Sequence, residues 1–340
     1  MKNKKIIILM LVVLLLTGCT KQLKDVNGKV VKNEETGQVL PSNILCQPTD
    51  KKIQKLYNDT MNDKKEKLKK ELESGDITEK EYNKKVDNLL NISDLPKCSK
   101  FTVASGGYEG LWTTLFIKPL AWCLIKLGQI LKNYGLAIII ATMLIRLLLY
   151  PITKKTVKQS EMMKQIQPEI KKIESKYKDK TDQQSMAMKS QELMSVYKKY
   201  NINPMSGCLF SFLQIPLFFA FYEALYRLPA LFEDNFITFN MATAPMAALK
   251  NGEFQYIILP LLVALVTFFS FKANNNSGMG GQEKSMKTMM NVMLIIIVFT
   301  SFQMSTAIIL YWITNSGFTI LQNYIVKRSK KWLKFIVIQE

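Results

Sequence analysis

The chain has 340 residues, 48% of them hydrophobic, a formal net charge of +19 and no histidine. Without imidazole, histidine-based acid–base catalysis, imidazole-activated serine or cysteine nucleophiles and most zinc sites are excluded. The apolar residues are gathered into long blocks between lysine-rich stretches, the layout of a polytopic membrane protein and not of one soluble core. The positive charge is therefore read first as a report on sidedness and on attraction to anionic lipid.

The first 18 residues have the form of a signal peptide. Lys2, Lys4 and Lys5 precede an apolar run over 6–16 that is too short to span a bilayer. The run ends in Leu16, Thr17, Gly18 and Cys19, which resembles a bacterial lipoprotein cleavage box with Cys19 as the lipidated residue. Residues 19–107 then read as an exported region. Apolar spacing at Ile53, Leu56, Tyr57 and Met61 predicts one helix, Ser74-Gly75-Asp76 breaks it, and Thr78 with Glu81 caps a second. Cys46 and Cys98 flank this hairpin, as a bridge contributing about 4 kcal/mol or as two thiols.

Over 108–132, Leu115, Leu120, Trp122, Leu124, Ile125 and Leu127 alternate with Lys118, Lys126 and Lys132, as in an amphipathic helix at the membrane interface. The alternative is the long start of the next span. Membrane segments are expected at 133–152, 206–226, 255–272, 289–303 and 306–325, the last two joined by a tight turn near Met304. Residues 153–200 carry twelve lysines against six acids, whereas 229–253 hold one lysine against three. The positive-inside rule makes the hairpin at 153–203 and the basic tail at 327–340 cytoplasmic and the N-terminal region external. The arms of this second hairpin, 155–178 and 183–201, meet at Asp179 to Asp182, and Pro168 is expected to kink or restart the first. Met162, Met163, Met186, Met188 and Met194 either zip the arms together or offer flexible apolar faces to varied sequences.

Arg146 lies inside the first apolar block, eight residues before Lys154. On a straight helix that puts the charge roughly 12 Å inside a hydrocarbon core about 30 Å thick, too deep for easy snorkelling. Thr142 shares its face, the second span offers Ser211 and Gln214, and the third Thr267 and Ser270. In the fifth, Trp312, Asn315, Thr319 and Gln322 recur at helical steps. Singly, such residues bond neighbouring helices; together with an arginine they predict a hydrated cavity. The whole is an all-α polytopic membrane protein, five transmembrane helices around a hydrophilic groove. No phosphate loop, metal spacing or catalytic motif is present, so neither a cofactor nor enzymatic activity is expected.

The runs "NYGLAIIIATMLIRLLLYPIT" (133–153), "IQPEIKKIESKY" (166–177), "YNINPMSGCLFSFLQIPLFFAFYEAL" (200–225) and "ILYWITNSGFTILQNYIV" (309–326) resemble the YidC family of membrane-protein insertases in its five-span lipoprotein form. The resemblance implies insertion of nascent membrane proteins, alone or beside the Sec translocon, through a groove open to cytoplasm and lipid. Arg146 corresponds to the family's groove arginine and Trp312 to its fifth-span aromatic; Ser270 stands where an amide is usual. The basic tail suits a ribosome or anionic lipid equally. A secondary transporter and a lipoprotein scaffold are the other readings. The first is disfavoured by five unequal spans without a repeat, the second by an unexplained arginine.

Overall fold

The computed structural model describes residues 21–203, 206–274 and 283–328. The expected signal peptide and lipidation site Cys19, the connection at 275–282 and the tail beyond 328 lie outside the described residues. The chain is mostly helical. It divides into two compact units: one holds the N-terminal region to Ala141 with Pro216–Leu259 and Ser301–Tyr311, the other Thr142–Ile215, Pro260–Thr300 and the stretch from Trp312 onward.

In the first unit the N-terminal arm is not helical. Isolated bridges pair Lys24 with Val30, Lys32 with Val39 and Gln22 with Pro41. The first returns through Asn27-Gly28, with Gly28 at φ +79°, the conformation that Asn-Gly turns supply at low cost. Helix α1 (Lys51–Glu73) starts at Asp50, whose carboxylate accepts from the Lys52 amide. Helix α2 (Glu79–Asp87) starts with the expected capping box of Thr78 and Glu81. Leu23, Leu40, Ile44, Ile53, Tyr57 and Ile92 form the core beneath them. The buried Tyr57 hydroxyl donates to the Pro41 carbonyl at 2.7 Å, so its polar end is satisfied. Cys46 and Cys98 are bridged, their Cα atoms 4.8 Å apart.

Helix α3 (Lys118–Leu131) follows a π-helical turn at Thr113–Ile117. Lys132, at φ +52°, turns the chain into α4 (Tyr134–Leu148). The corner is tight because Gly128 has no side chain: a Cβ there would lie 2.3 Å from the Tyr134 ring. Thr113–Leu131 is long and apolar enough to cross a membrane, which the lysines at 118 and 126 had argued against, and so is Phe254–Ala273. Lys118 is fully buried.

Helix α5 (Tyr150–Gln165) leaves α4 at 69°. Pro151 sits in its first turn, where a missing N–H costs nothing, while its ring would clash with a continuing helix. The straight-helix estimate of the depth of Arg146 therefore does not apply, since α4 ends two residues beyond it. Pro168 restarts the chain as α6 (Gln167–Lys176), and α7 (Gln183–Lys199) is capped by Asp182. Met163, Ile166, Ile170, Val196, Tyr197 and Ile202 close a small core between these arms, and Lys176 meets Glu192 at 2.5 Å. Met162 packs against that core, whereas Met186, Met188 and Met194 stay exposed. The methionines thus divide between packed and exposed positions.

Helix α8 (Ser206–Tyr226) contains Pro216. It is followed in the first unit by α9 (Pro229–Phe232), a two-residue hairpin of β1 (Asn235–Phe236) and β2 (Phe239–Asn240), and α10 (Pro245–Lys250). Helices α11 (Ile258–Asn274), α12 (Glu283–Ser301) and α13 (Thr306–Arg328) complete the chain. The turn between α12 and α13 is held by Met246 N to Phe302 O at 2.8 Å and Thr306 N to Thr243 O at 3.0 Å.

Candidate functional site

The sequence-selected residues Arg146, Thr142, Gln214, Ser270, Trp312 and Asn315 all fall in the second unit. Helical spacing stacks Thr142 one turn before Arg146, and both are buried, the arginine to 3% exposure. Its Nε donates to Asn315 Oδ1 at 2.7 Å. Asn315 presents that oxygen from α13, where the stripe continues: Thr319 donates to the Asn315 carbonyl at 3.0 Å and Asn323 to the Thr319 carbonyl at 2.9 Å. Trp312 Nε1 donates to Thr267 Oγ1 at 3.0 Å on α11, and Ser270 is buried one turn further on. Gln214 is half-buried and, like Ser270, is joined to neither pair by a hydrogen bond among the described residues. The side chain of Ser211 lies outside the described residues.

The electrostatic character of this cluster follows from composition. Helices α4, α11 and α13 contain no aspartate or glutamate, and the Asn315 amide is neutral. The Asn315 bond therefore orients the guanidinium without adding a charge of its own.

Three contacts had no counterpart in the sequence pattern. Gln322 Nε2 reaches Thr153 Oγ1 at 2.5 Å, tying the start of α5 to α13, and Glu161 receives both Lys164 at 3.0 Å and Lys327 at 3.2 Å. The stripe containing Gln322 was legible. Its partner was not, because Thr153 fell between the expected span at 133–152 and the hairpin arm at 155–178. Among the described residues, no three Asp, Glu, Cys or His side chains gather as a metal site.

A family model described as "60Kd inner membrane protein" matches residues 126–333. The membrane protein insertase YidC of Oceanobacillus iheyensis is 34% identical over 228 residues, 65% of this chain and 85% of that protein. YidC 2 of Bacillus anthracis is 34% identical over 219 residues, covering 64% and 82%. The chain belongs to the YidC family. MisCA of Bacillus subtilis, also a membrane protein insertase, is 31% identical over 217 residues, covering 64% of this chain and 79% of its own. Against a crystal structure of active YidC insertase with its first transmembrane domain resolved, the TM-score is 0.47 at 22% identity, over 73% of this chain and 51% of that one. The family-model match over 126–333 takes in Arg146, Thr142, Gln214, Ser270, Trp312 and Asn315 and leaves out the N-terminal region with its disulfide.

Proposed function

We propose that the protein is a membrane-protein insertase and chaperone whose working element is the positive charge of Arg146 held by Asn315. The observation that carries this reading is a buried guanidinium bonded to the neutral amide of Asn315, on two helices, α4 and α13, that contain no acidic residue. The insertases among its relatives support it. In this reading, five spans surround a groove that admits cytoplasmic water, lined by Arg146, Thr142, Gln214, Ser270, Trp312 and Asn315. A client span with an acidic external tail brings that tail to the arginine, a counter-charge partway across the apolar layer. The client's apolar segment then moves into lipid, where burial of its surface drives release without nucleotide hydrolysis. No covalent step is involved.

The same reading gives the chain a lipid on Cys19, an external N-terminal region and a cytoplasmic C-terminus, with α3 and its preceding turn at the interface. Nascent membrane proteins are the clients, the Sec translocon a partner, and the basic tail a contact for the ribosome or for anionic lipid. Reconstitution in liposomes tests the core of it. Wild-type protein is expected to insert a small client with an acidic tail, Arg146→Ala to fail, and Arg146→Lys to keep much of the activity because charge outweighs fork geometry. Wild-type insertion by Arg146→Ala across such clients would defeat the counter-charge role.

A further inference from the structure

The N-terminal region lies outside the family match, yet its attachment involves four charged side chains that the proposed insertion mechanism does not use. Arg227, one residue past α8, is 1% exposed. Its guanidinium reaches in three directions: Nε donates to the Asn43 carbonyl at 2.7 Å, one terminal nitrogen meets Glu109 Oε2 at 2.6 Å, and the other lies 3.9 Å from Glu223 Oε1. Its own carbonyl accepts from the Leu45 amide at 2.9 Å. One residue thus grips segment 43–45 by side chain and by main chain.

The network extends on both sides. The second oxygen of Glu109 takes Lys118 Nζ at 3.1 Å, and that ammonium also donates to the Ser105 and Gly107 carbonyls. Glu223 Oε2 accepts from Trp112 Nε1 at 3.1 Å. Two cations and two carboxylates balance one another within the first unit. Separating the N-terminal segment from Arg227 would strand charges away from water, so an open state is strongly disfavoured.

A second seam lies beside the first. Glu233 accepts the Thr49 amide at 2.7 Å, the Asp50 amide at 2.9 Å and the Thr49 hydroxyl. The Ala244 amide donates to the Thr36 carbonyl at 2.9 Å and Asn251 to the Glu35 carbonyl at 3.1 Å. Gly37 holds φ +71° where a Cβ would stand 2.8 Å from that of Ala247. The Cys46–Cys98 bridge joins the gripped segment to the residues that lead into Glu109.

We propose that residues 21–110 are a fixed cap on the helix ends of the first unit, fastened through Arg227, and not an arm that docks and releases. This assignment is independent of the insertase reading and of which side of the membrane the cap faces. The test is hydrogen exchange read by mass spectrometry on the full-length protein in lipid nanodiscs. Arg227→Gln is expected to raise exchange across 43–47, 105–112 and 228–244 together, by about tenfold or more, while a surface change, Glu66→Gln, leaves them as in wild type. Arg227→Lys recovers part of the protection because the charge remains and the fork is lost. An exchange increase confined to 223–231, with 43–47 unchanged, overturns the proposal. If Arg227→Gln does not accumulate, Glu109→Gln decides: raised exchange at 43–47 supports the fastening, and wild-type exchange there refutes it.

Discussion

A guanidinium bonded to an amide and one bonded to a carboxylate have nearly the same shape and opposite electrostatic consequences. Asn315→Asp preserves the reach to Arg146 but places an anion against it. Under the proposed function this change is expected to depress insertion of acidic-tailed clients in liposomes about as far as Arg146→Ala, with normal expression; unimpaired insertion would mean that net charge at this point is irrelevant. At Glu109, burial pushes the carboxyl pKa up, but the hydrogen bonds and charges of Arg227 and Lys118 outweigh it and hold the group below the ordinary 4.5. The folded value is the lower one, so its stabilisation is present above the unfolded value and is lost as pH falls through the folded value. Thermal unfolding of wild type and Glu109→Gln is expected to differ near neutrality and to converge in acid.

At the scale of the element, the hairpin of α5 to α7 stands on one small core. Ile170→Ala removes a fully buried side chain from it and is expected to cost about 2–5 kcal/mol locally. Exchange protection over α6 and α7 would report this, while that of α4 and α13 stays near wild type. The division of this hairpin was legible because Pro168 and Asp182 act locally, through a missing N–H and a capping carboxylate. The 69° turn at Pro151 was hidden, since hydropathy runs on to residue 152 and does not register direction. The bridges of the N-terminal arm were hidden for another reason. Asn27-Gly28 carries a turn signal, but isolated pairs such as Lys32 with Val39 leave no run of alternation. Likewise, Arg146 and the polar stripe of α13 announced themselves as exceptions in apolar surroundings, whereas the pairing of Thr153 with Gln322 depends on helices meeting in space.

For the whole molecule, the two units rest on different supports. The first is cross-linked over a sequence separation of 52 residues, and replacing both Cys46 and Cys98 by serine is expected to cost it about 4 kcal/mol by the loop-entropy estimate. Differential scanning of the wild type with and without reductant should reproduce that loss, and an unchanged transition would show that the buried ion network alone holds the region. The second unit has no such cross-link among the described residues. On its hairpin, Met163 is 6% exposed while Met186, Met188 and Met194 are 53%, 47% and 47% exposed. Dilute peroxide will therefore convert the latter three thioethers to sulfoxides and spare the first. That contrast makes the hairpin its own footprinting reagent: whatever settles on α7 in a working membrane will be read as sulfur that stays reduced.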